Sequence, residues 1–321
     1  MIKYVIKRLL IMIPILLAVA ILIFTLMACV PGDPARLALG DSPTITEEML
    51  QSVRIQMGLD KPFLVRLGTY LKDVFLRFDF GTSYQNGIAV RTELASRFPK
   101  TLLLASMCIV LMLVLGIPAG IRAAVKANSV EDRLSMFITL IGNSMPNFWL
   151  ALLLVLLFSL HLNWLPSSGA KSFKYFILPA LSGGLGGVAS IARQTRASML
   201  EVIRSDYVTT ARSKGLSPTS VIFSHALPNA LIPVITVTAQ QFSFMLGGIA
   251  VIEAIFSIPG IGSFLITSIS ARDYPCVQAC VIYIAFTFSI MMLLTDLIYA
   301  FVDPRIKSQY AGRKRKQVKS K

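Results

Sequence analysis

The chain has 321 residues, 55% of them hydrophobic and only 15% charged, with a formal net charge of +15. Its mean hydropathy is +0.70, whereas a soluble domain carries about a quarter charged residues, so two soluble domains are excluded. Much of the positive excess lies beside the ends of apolar runs, where it sets membrane orientation, and this argues against nucleic-acid binding.

Lys3, Lys7 and Arg8 precede an apolar run over 9–30. Leu26-Met27-Ala28-Cys29 looks like a lipoprotein cleavage site. The apolar core nevertheless exceeds the roughly 7–15 residues of a signal peptide, so residues 1–30 are read as an N-terminal end and first span. Residues 31–100 hold nine basic and eight acidic residues and read as an extracytoplasmic helical segment. Met49, Val53 and Met57 recur at helical spacing behind Thr46, which predicts a capped helix over 47–57 ended by Lys61-Pro62. A second amphipathic helix is expected over 65–78, before a turn at Asp79-Phe80-Gly81.

Further spans are expected over 102–121, with Pro118 inside, and over 135–160, kinked at Met145-Pro146. A polar connector over 122–133 separates them. After a loop with Trp164 at interface depth come spans over 176–192, 230–252 and 277–302. The reading is an all-α polytopic membrane protein with six transmembrane helices, a permease-like core over 101–302 and a basic tail over 303–321. Arg313-Lys314-Arg315-Lys316 in that tail suits anionic lipid better than nucleic acid. Six spans put both termini on one side, with Lys3, Lys7, Arg8, Arg122, Lys126, Arg133, Arg193, Arg196, Arg204, Arg212, Lys214 and the tail. The other side's basic residues fall mostly in the long balanced segment, which counts little, so both termini are expected to be cytoplasmic.

The polar stretch 205–228 separates the fourth and fifth spans on that same side. Asp206 is expected to cap a helix over 207–212, and Gly215 to supply the positive φ that ends it. Ser217 then caps a second helix with Pro218 at its first position. Helix connections commonly take about 2–8 residues, so a longer ordered connector points to docking on a partner.

Thr209-Thr210-Ala211, three residues, Gly215, nine residues, His225, one residue, Leu227-Pro228 resembles the coupling loop of ABC importer permeases. The general pattern of that loop is Glu-Ala-Ala, three residues, Gly, nine residues, Ile, one residue, Leu-Pro; Thr209, Thr210 and His225 depart from it. Gly32-Asp33-Pro34, Asp79-Phe80-Gly81 with Ser83, Met145-Pro146 with Phe148-Trp149, and Pro259-Gly260 with Gly262 extend the likeness. So do Arg272-Asp273-Tyr274-Pro275 and Asp296, Tyr299, Asp303-Pro304-Arg305. Together they resemble the dipeptide, oligopeptide and nickel branch of the binding-protein-dependent permeases. The resemblance implies a type I permease fold in a bacterial or archaeal inner membrane. It also implies a second homologous permease, two ATP-binding subunits that hold ATP and Mg, and an extracytoplasmic substrate-binding protein. Asp206, Thr209, Thr210, Ala211, Arg212, Lys214, Gly215, His225, Leu227 and Pro228 become the ATPase-coupling loop. In that role Ala211 and Gly215 allow close helix approach, and Arg212 and Lys214 meet acidic groups. Peptide import is the first reading, with nickel or a metal chelate as the alternative.

No residues form a phosphate-binding Gly-x-x-x-x-Gly-Lys-[Ser/Thr] loop, and no catalytic constellation or metal set is apparent, so the chain is read as no enzyme and as binding no cofactor itself. Gly184-x-Gly186-x-x-Ala189 matches a dinucleotide fingerprint but lies in an apolar span. Gly183, Gly186 and Gly187 there suit close helix packing or a thin wall beside a pathway, as does Gly247-Gly248. Cys29, Cys108, Cys276 and Cys280 are read as packing residues. Asp296 and Glu253 are the intramembrane charges, and an ion-coupled carrier would use such a residue as a relay. For Asp296, hydrogen bonding to neighbouring helices is the preferred role. His161 and His225 lie in separate loops and suggest no metal site. The apolar segment 254–278 is expected to be re-entrant or to lie on the surface at the external mouth.

Overall fold

The computed structural model describes residues 2–39 and 46–302. Regular structure there is helical, apart from one isolated antiparallel bridge between Thr82 and Ala89. The tail 303–321, with Asp303-Pro304-Arg305 and Arg313-Lys314-Arg315-Lys316, lies outside the described residues. Helix α1 (Ile2–Cys29) is followed by α2 (Pro34–Leu39), α3 (Glu47–Gln56) and α4 (Phe63–Leu76). The Thr46 hydroxyl accepts the Met49 N–H at 3.3 Å and caps α3 as its position predicts. Helix α4 packs back on α1, with Tyr70 stacked on Phe24 at a centroid distance of 4.9 Å.

Helix α5 (Val90–Val125) starts about three turns before the expected span, so residues 90–100 belong to it. An internal Glu93–Arg97 pair at 2.8 Å supports that extension, and Val90 and Leu94 bury its apolar side. The turn to α6 (Val130–Ser144) is much shorter than the connector expected over 122–133. The third expected span is not kinked but broken. The residue before a proline is driven from helical to extended backbone, and Met145 has φ −81° and ψ 130°. Helix α7 (Asn147–Leu154) resumes after Pro146 and runs into a π-helical stretch, Val155–His161.

Helix α8 (Ile177–Ile203) collects both pieces. Near one end Arg196 binds Asp132 of α6; further along, Gly186 lies beside Asn147. Thus α6 and α7 run end to end, antiparallel to α8. Among the described residues five other segments are long and apolar enough to cross a membrane: Val5–Cys29, Val90–Val125, Phe173–Ile203, Pro218–Gly247 and Tyr274–Ile298. The broken pair occupies the place of the third expected span.

The contact between α5 and α8 is built on small residues. A side chain at Gly183 would come 3.1 Å from Cys108 Sγ of α5, and one at Gly187 would overlap Met112. Conversely, a Cβ on Gly120 of α5 would lie 2.6 Å from the Ala192 carbonyl oxygen. The two backbones therefore approach more closely than larger residues permit. Gly186 faces α7 instead, where a Cβ would lie 3.3 Å from Asn147 Oδ1. Gly187→Leu is expected to destabilise the protein by about 1–3 kcal/mol through overpacking, and Gly186→Ala by much less. Thermal unfolding of the two variants in detergent should rank them in that order.

Helix α11 (Leu227–Gly248) ends at Ile249, and a short α12 (Ala250–Ile255), a buried turn and α13 (Ile261–Ser270) lead into α14 (Tyr274–Val302). The segment expected to be re-entrant or surface-lying is a helical hairpin packed into the bundle. Its turn residues Phe256, Ile258 and Ile261 are at most 1% exposed. Cys108, Cys276 and Cys280 are buried and free, and Cys29 is exposed and free. Asp296 of α14 forms an ion pair with Arg8 of α1 at 2.9 Å. A paired charge between two spans is a helix tie, unlike the hydrogen-bonding role expected for Asp296.

Candidate functional site

Helix α8 continues beyond 192 to Ile203, which leaves only 204–217 between it and the next long helix. The expected long connector is therefore mostly helix. Ser205, not Asp206, occupies the cap position of α9 (Asp206–Ser213). Its hydroxyl gives no side-chain cap there because it donates to the Val202 carbonyl at 2.6 Å. Asp206 instead sits in the first turn, where a carboxylate interacts favourably with the helix dipole.

Val208 and Ala211 turn inward onto Ile121 and Ala124 of α5, Met199 of α8 and Ala226 and Ala230 of the following helix. Ala211 is thus filled by this chain's own core rather than offered to a partner. Thr209 and Thr210 lie on the exposed side, their hydroxyls donating to the Ser205 and Asp206 carbonyls at 3.4 and 2.9 Å. Arg212 and Lys214 are exposed as well.

Gly215 has φ +78°, and a Cβ there would meet nothing within 4 Å. Its need is backbone conformation, not space. The Ser217 hydroxyl accepts the Ser220 N–H at 3.3 Å, and Pro218 takes the first position of α10 (Pro218–Ser220), as their order predicts. The second helix does not end there. Through a π-helical stretch, Val221–Ala226, it runs directly into α11. Pro228 has no N–H and its ring crowds the preceding turn, a conflict that a wider local turn accommodates. His225 is half-buried in that stretch, Leu227 packs on the α5–α8–α9 core and Pro228 is exposed. Asn229 Nδ2 donates to the Tyr207 hydroxyl at 2.9 Å, which ties α9 to α11.

The result is a short helix and a glycine turn seated on three long helices. Its outer surface mixes Asp206, Arg212 and Lys214 with the exposed apolar side chains Tyr207, Leu216 and Phe223. Such a surface suits a protein partner: charges for orientation, apolar side chains for burial.

Spacing gave no sign of two clusters at the other end of α5. Segments far apart in sequence converge in the first. Ser83 Oγ donates to Asp273 Oδ2 at 2.5 Å, Arg272 Nη1 donates to the Pro31 carbonyl at 3.3 Å, and Gly81 lies beside Pro275. Burial, with Asp273 adding to it, pushes the Tyr84 hydroxyl up to about 12, so it stays protonated near neutral pH. Asp273→Ala is expected to cost about 1–3 kcal/mol by leaving the buried Ser83 hydroxyl without its acceptor, read as a lower melting temperature. In the second cluster, Glu253, which is fully buried, accepts from Thr101 Oγ1 at 2.6 Å and from the Ser263 N–H at 2.9 Å. Thr101 Oγ1 in turn accepts the Ile261 N–H at 2.9 Å. Glu253 therefore fastens the α12–α13 turn to α5 rather than facing a relay. Among the described residues no three His, Cys, Asp or Glu side chains gather into a metal-holding group.

The family described as "Binding-protein-dependent transport system inner membrane component" matches residues 116–308, and its N-terminal companion family matches 1–105. The glutathione transport system permease protein GsiC of Escherichia coli K12 is 43% identical over 307 residues, covering 96% of this chain and 99% of that protein. The Salmonella typhimurium protein of the same name matches at the same identity and coverage. Inward-facing structures of the MetNI methionine ABC transporter superpose with TM-scores of 0.56 and 0.54 at 17% identity. They cover 66% and 65% of this chain and 96% of each solved chain, which shows the type I permease fold.

Proposed function

Because the chain belongs to the family of binding-protein-dependent transport system inner membrane components, we propose that it forms half of a path for short peptides and couples to ATPases through residues 205–228. It is a permease subunit of an ABC importer, with ATP hydrolysis residing in separate subunits. The coupling proposal is carried by one observation: α9 presents charged and apolar side chains outward while Val208 and Ala211 anchor it to α5 and α8. A push on α9 is then delivered to the spans rather than absorbed by a slack loop. On this reading Asp206, Arg212 and Lys214 orient the partner and Gly215 sets the turn, while Thr209, Thr210, His225, Leu227 and Pro228 shape the platform.

The assembly comprises this chain, a second homologous permease, two ATP-binding subunits that hold ATP and Mg, and an extracytoplasmic binding protein. The excess of Lys and Arg on one side supports cytoplasmic termini and a cytoplasmic loop. Residues 31–89 and the α12–α13 hairpin then face outside, where loaded binding protein docks. ATP-driven closure of the ATPases opens the path outward, and hydrolysis resets it. Peptide cargo is supported by the glutathione permeases named above, glutathione being itself a small peptide.

Uptake of labelled glutathione, a labelled dipeptide and labelled nickel, in cells with and without this chain, tests the cargo. Loss of peptide-type uptake alone is expected. Loss of nickel uptake alone would transfer the assignment to metal or metal-chelate import.

A further inference from the structure

We propose that the hollow where α1 meets α4 and α14 binds the phosphate head group of an anionic membrane phospholipid, with Arg66 as its principal cation. Two hollows of about 430 and 240 Å³ lie there and share Phe24, Arg66, Tyr274 and Gln278 as walls. The acidic wall residues are already engaged: Asp33 holds Arg54 through bonds of 2.8 and 2.5 Å, and Asp73 holds Arg77 at 3.0 Å. Arg66 and Lys61, by contrast, have no carboxylate within ion-pairing distance among the described residues. Arg66 lies 6.0 Å from the Phe24 ring centroid. The cavity therefore offers unneutralised positive charge in a partly enclosed setting, where an anion gains most.

The depth of the hollow selects the anion. Phe24 belongs to the last turns of an apolar span that ends at Cys29, and Tyr70, Tyr84 and Tyr274 surround the cavity at the same level. Tyrosines and basic side chains at the end of a span mark the level of lipid head groups. On the side of α1 that carries Phe24, Ile21 is 41% exposed and Ala28, which lines the larger hollow, is exposed as well, a surface along which an acyl chain can lie. A free anion would make no use of it. Behind the same wall the Tyr70 and Tyr274 hydroxyls are buried and have no hydrogen-bond partner among the described residues.

The test is native mass spectrometry of the full-length protein after exchange with vesicles of phosphatidylglycerol or phosphatidylcholine. Retained phosphatidylglycerol should exceed phosphatidylcholine, and Arg66→Gln combined with Lys61→Gln should lower it about fivefold or more. Arg66→Lys, which keeps the charge, should retain most of the lipid, and an unchanged melting temperature would separate lost binding from lost folding. Equal retention by wild type and the double glutamine variant would overturn the proposal. Displacement of the lipid by inorganic phosphate at about millimolar concentration would also overturn it, making the cavity a free-anion site.

Discussion

Arg196→Ala should lower stability by about 3 kcal/mol. Arg196 Nε and Nη2 each lie 2.7 Å from an oxygen of Asp132, a two-pronged pair between α8 and the first turn of α6. Asp132 is only 3% exposed and also accepts the Asn128 N–H at 2.9 Å, so it locks the α5–α6 turn as well. Removing the guanidinium leaves a carboxylate that is 3% exposed without its paired counter-charge, supported only by the Asn128 N–H and the field of Arg133, and that penalty exceeds the lost attraction. Arg196 keeps some contact with water at the edge of the bundle, which places the cost at the low end for buried pairs. Asp132→Asn in the Arg196→Ala background should recover part of the loss, because the orphaned charge is then gone. Denaturant or thermal unfolding of the two singles and the double measures this directly. Met199 of α8, and Ile121 and Ala124 of α5 just before the turn that Asp132 holds, seat α9, so a loosened Arg196→Ala protein should also couple poorly.

Loop chemistry sets the second large effect. Phe223→Glu combined with Leu216→Glu is expected to lower ATP-driven uptake at least about tenfold, since charged groups would replace two apolar contacts of about 1–2 kcal/mol each. Phe223 is 54% and Leu216 40% exposed, so neither supports this chain's own core and the melting temperature should hold. Co-purification of the ATPase subunits should fall in parallel. Normal uptake by a stable double variant would move the coupling contact away from this surface. Gly215→Val acts differently: with open space around it, its cost comes from a β-branched residue forced to positive φ, so the turn shifts rather than clashes.

Much of the local chemistry was legible from residue identity. Thr46, Gly215, Ser217 and Pro218 each do in the structure what their type and position demand, because helix ends are decided by a few adjacent atoms. Cap choice between neighbours was not legible. Ser205 and Asp206 both favour caps, and the serine's carbonyl bond behind it leaves no mark in sequence. Helix ends near the membrane surface were also misplaced. Arg193, Arg196 and Arg204 lower the hydropathy after 192, yet Thr195, Ser198 and Met199 keep one face of α8 buried as far as Met199. Polarity there marks where lipid stops, not where helix stops.

Long-range pairing was the least legible. Arg196 reads as one more orienting charge until it is seen to hold Asp132, 64 residues earlier. Likewise the two motifs around Ser83 and Asp273 carry no hint that they touch, since 190 residues separate them. Glu253 looked like an isolated charge at a span end. Its partners, Thr101 and the Ser263 amide, come from another helix and from a turn whose burial composition alone does not disclose.

The most direct test of the account reconstitutes this chain in sealed vesicles with its partner permease, its ATPase subunits and loaded binding protein, and measures accumulation of labelled short peptide. Accumulation should require ATP and vanish when the ATPase subunits are omitted, whatever ion gradient is imposed. Peptide uptake driven by an ion gradient without those subunits would contradict the account and make the chain a carrier in its own right.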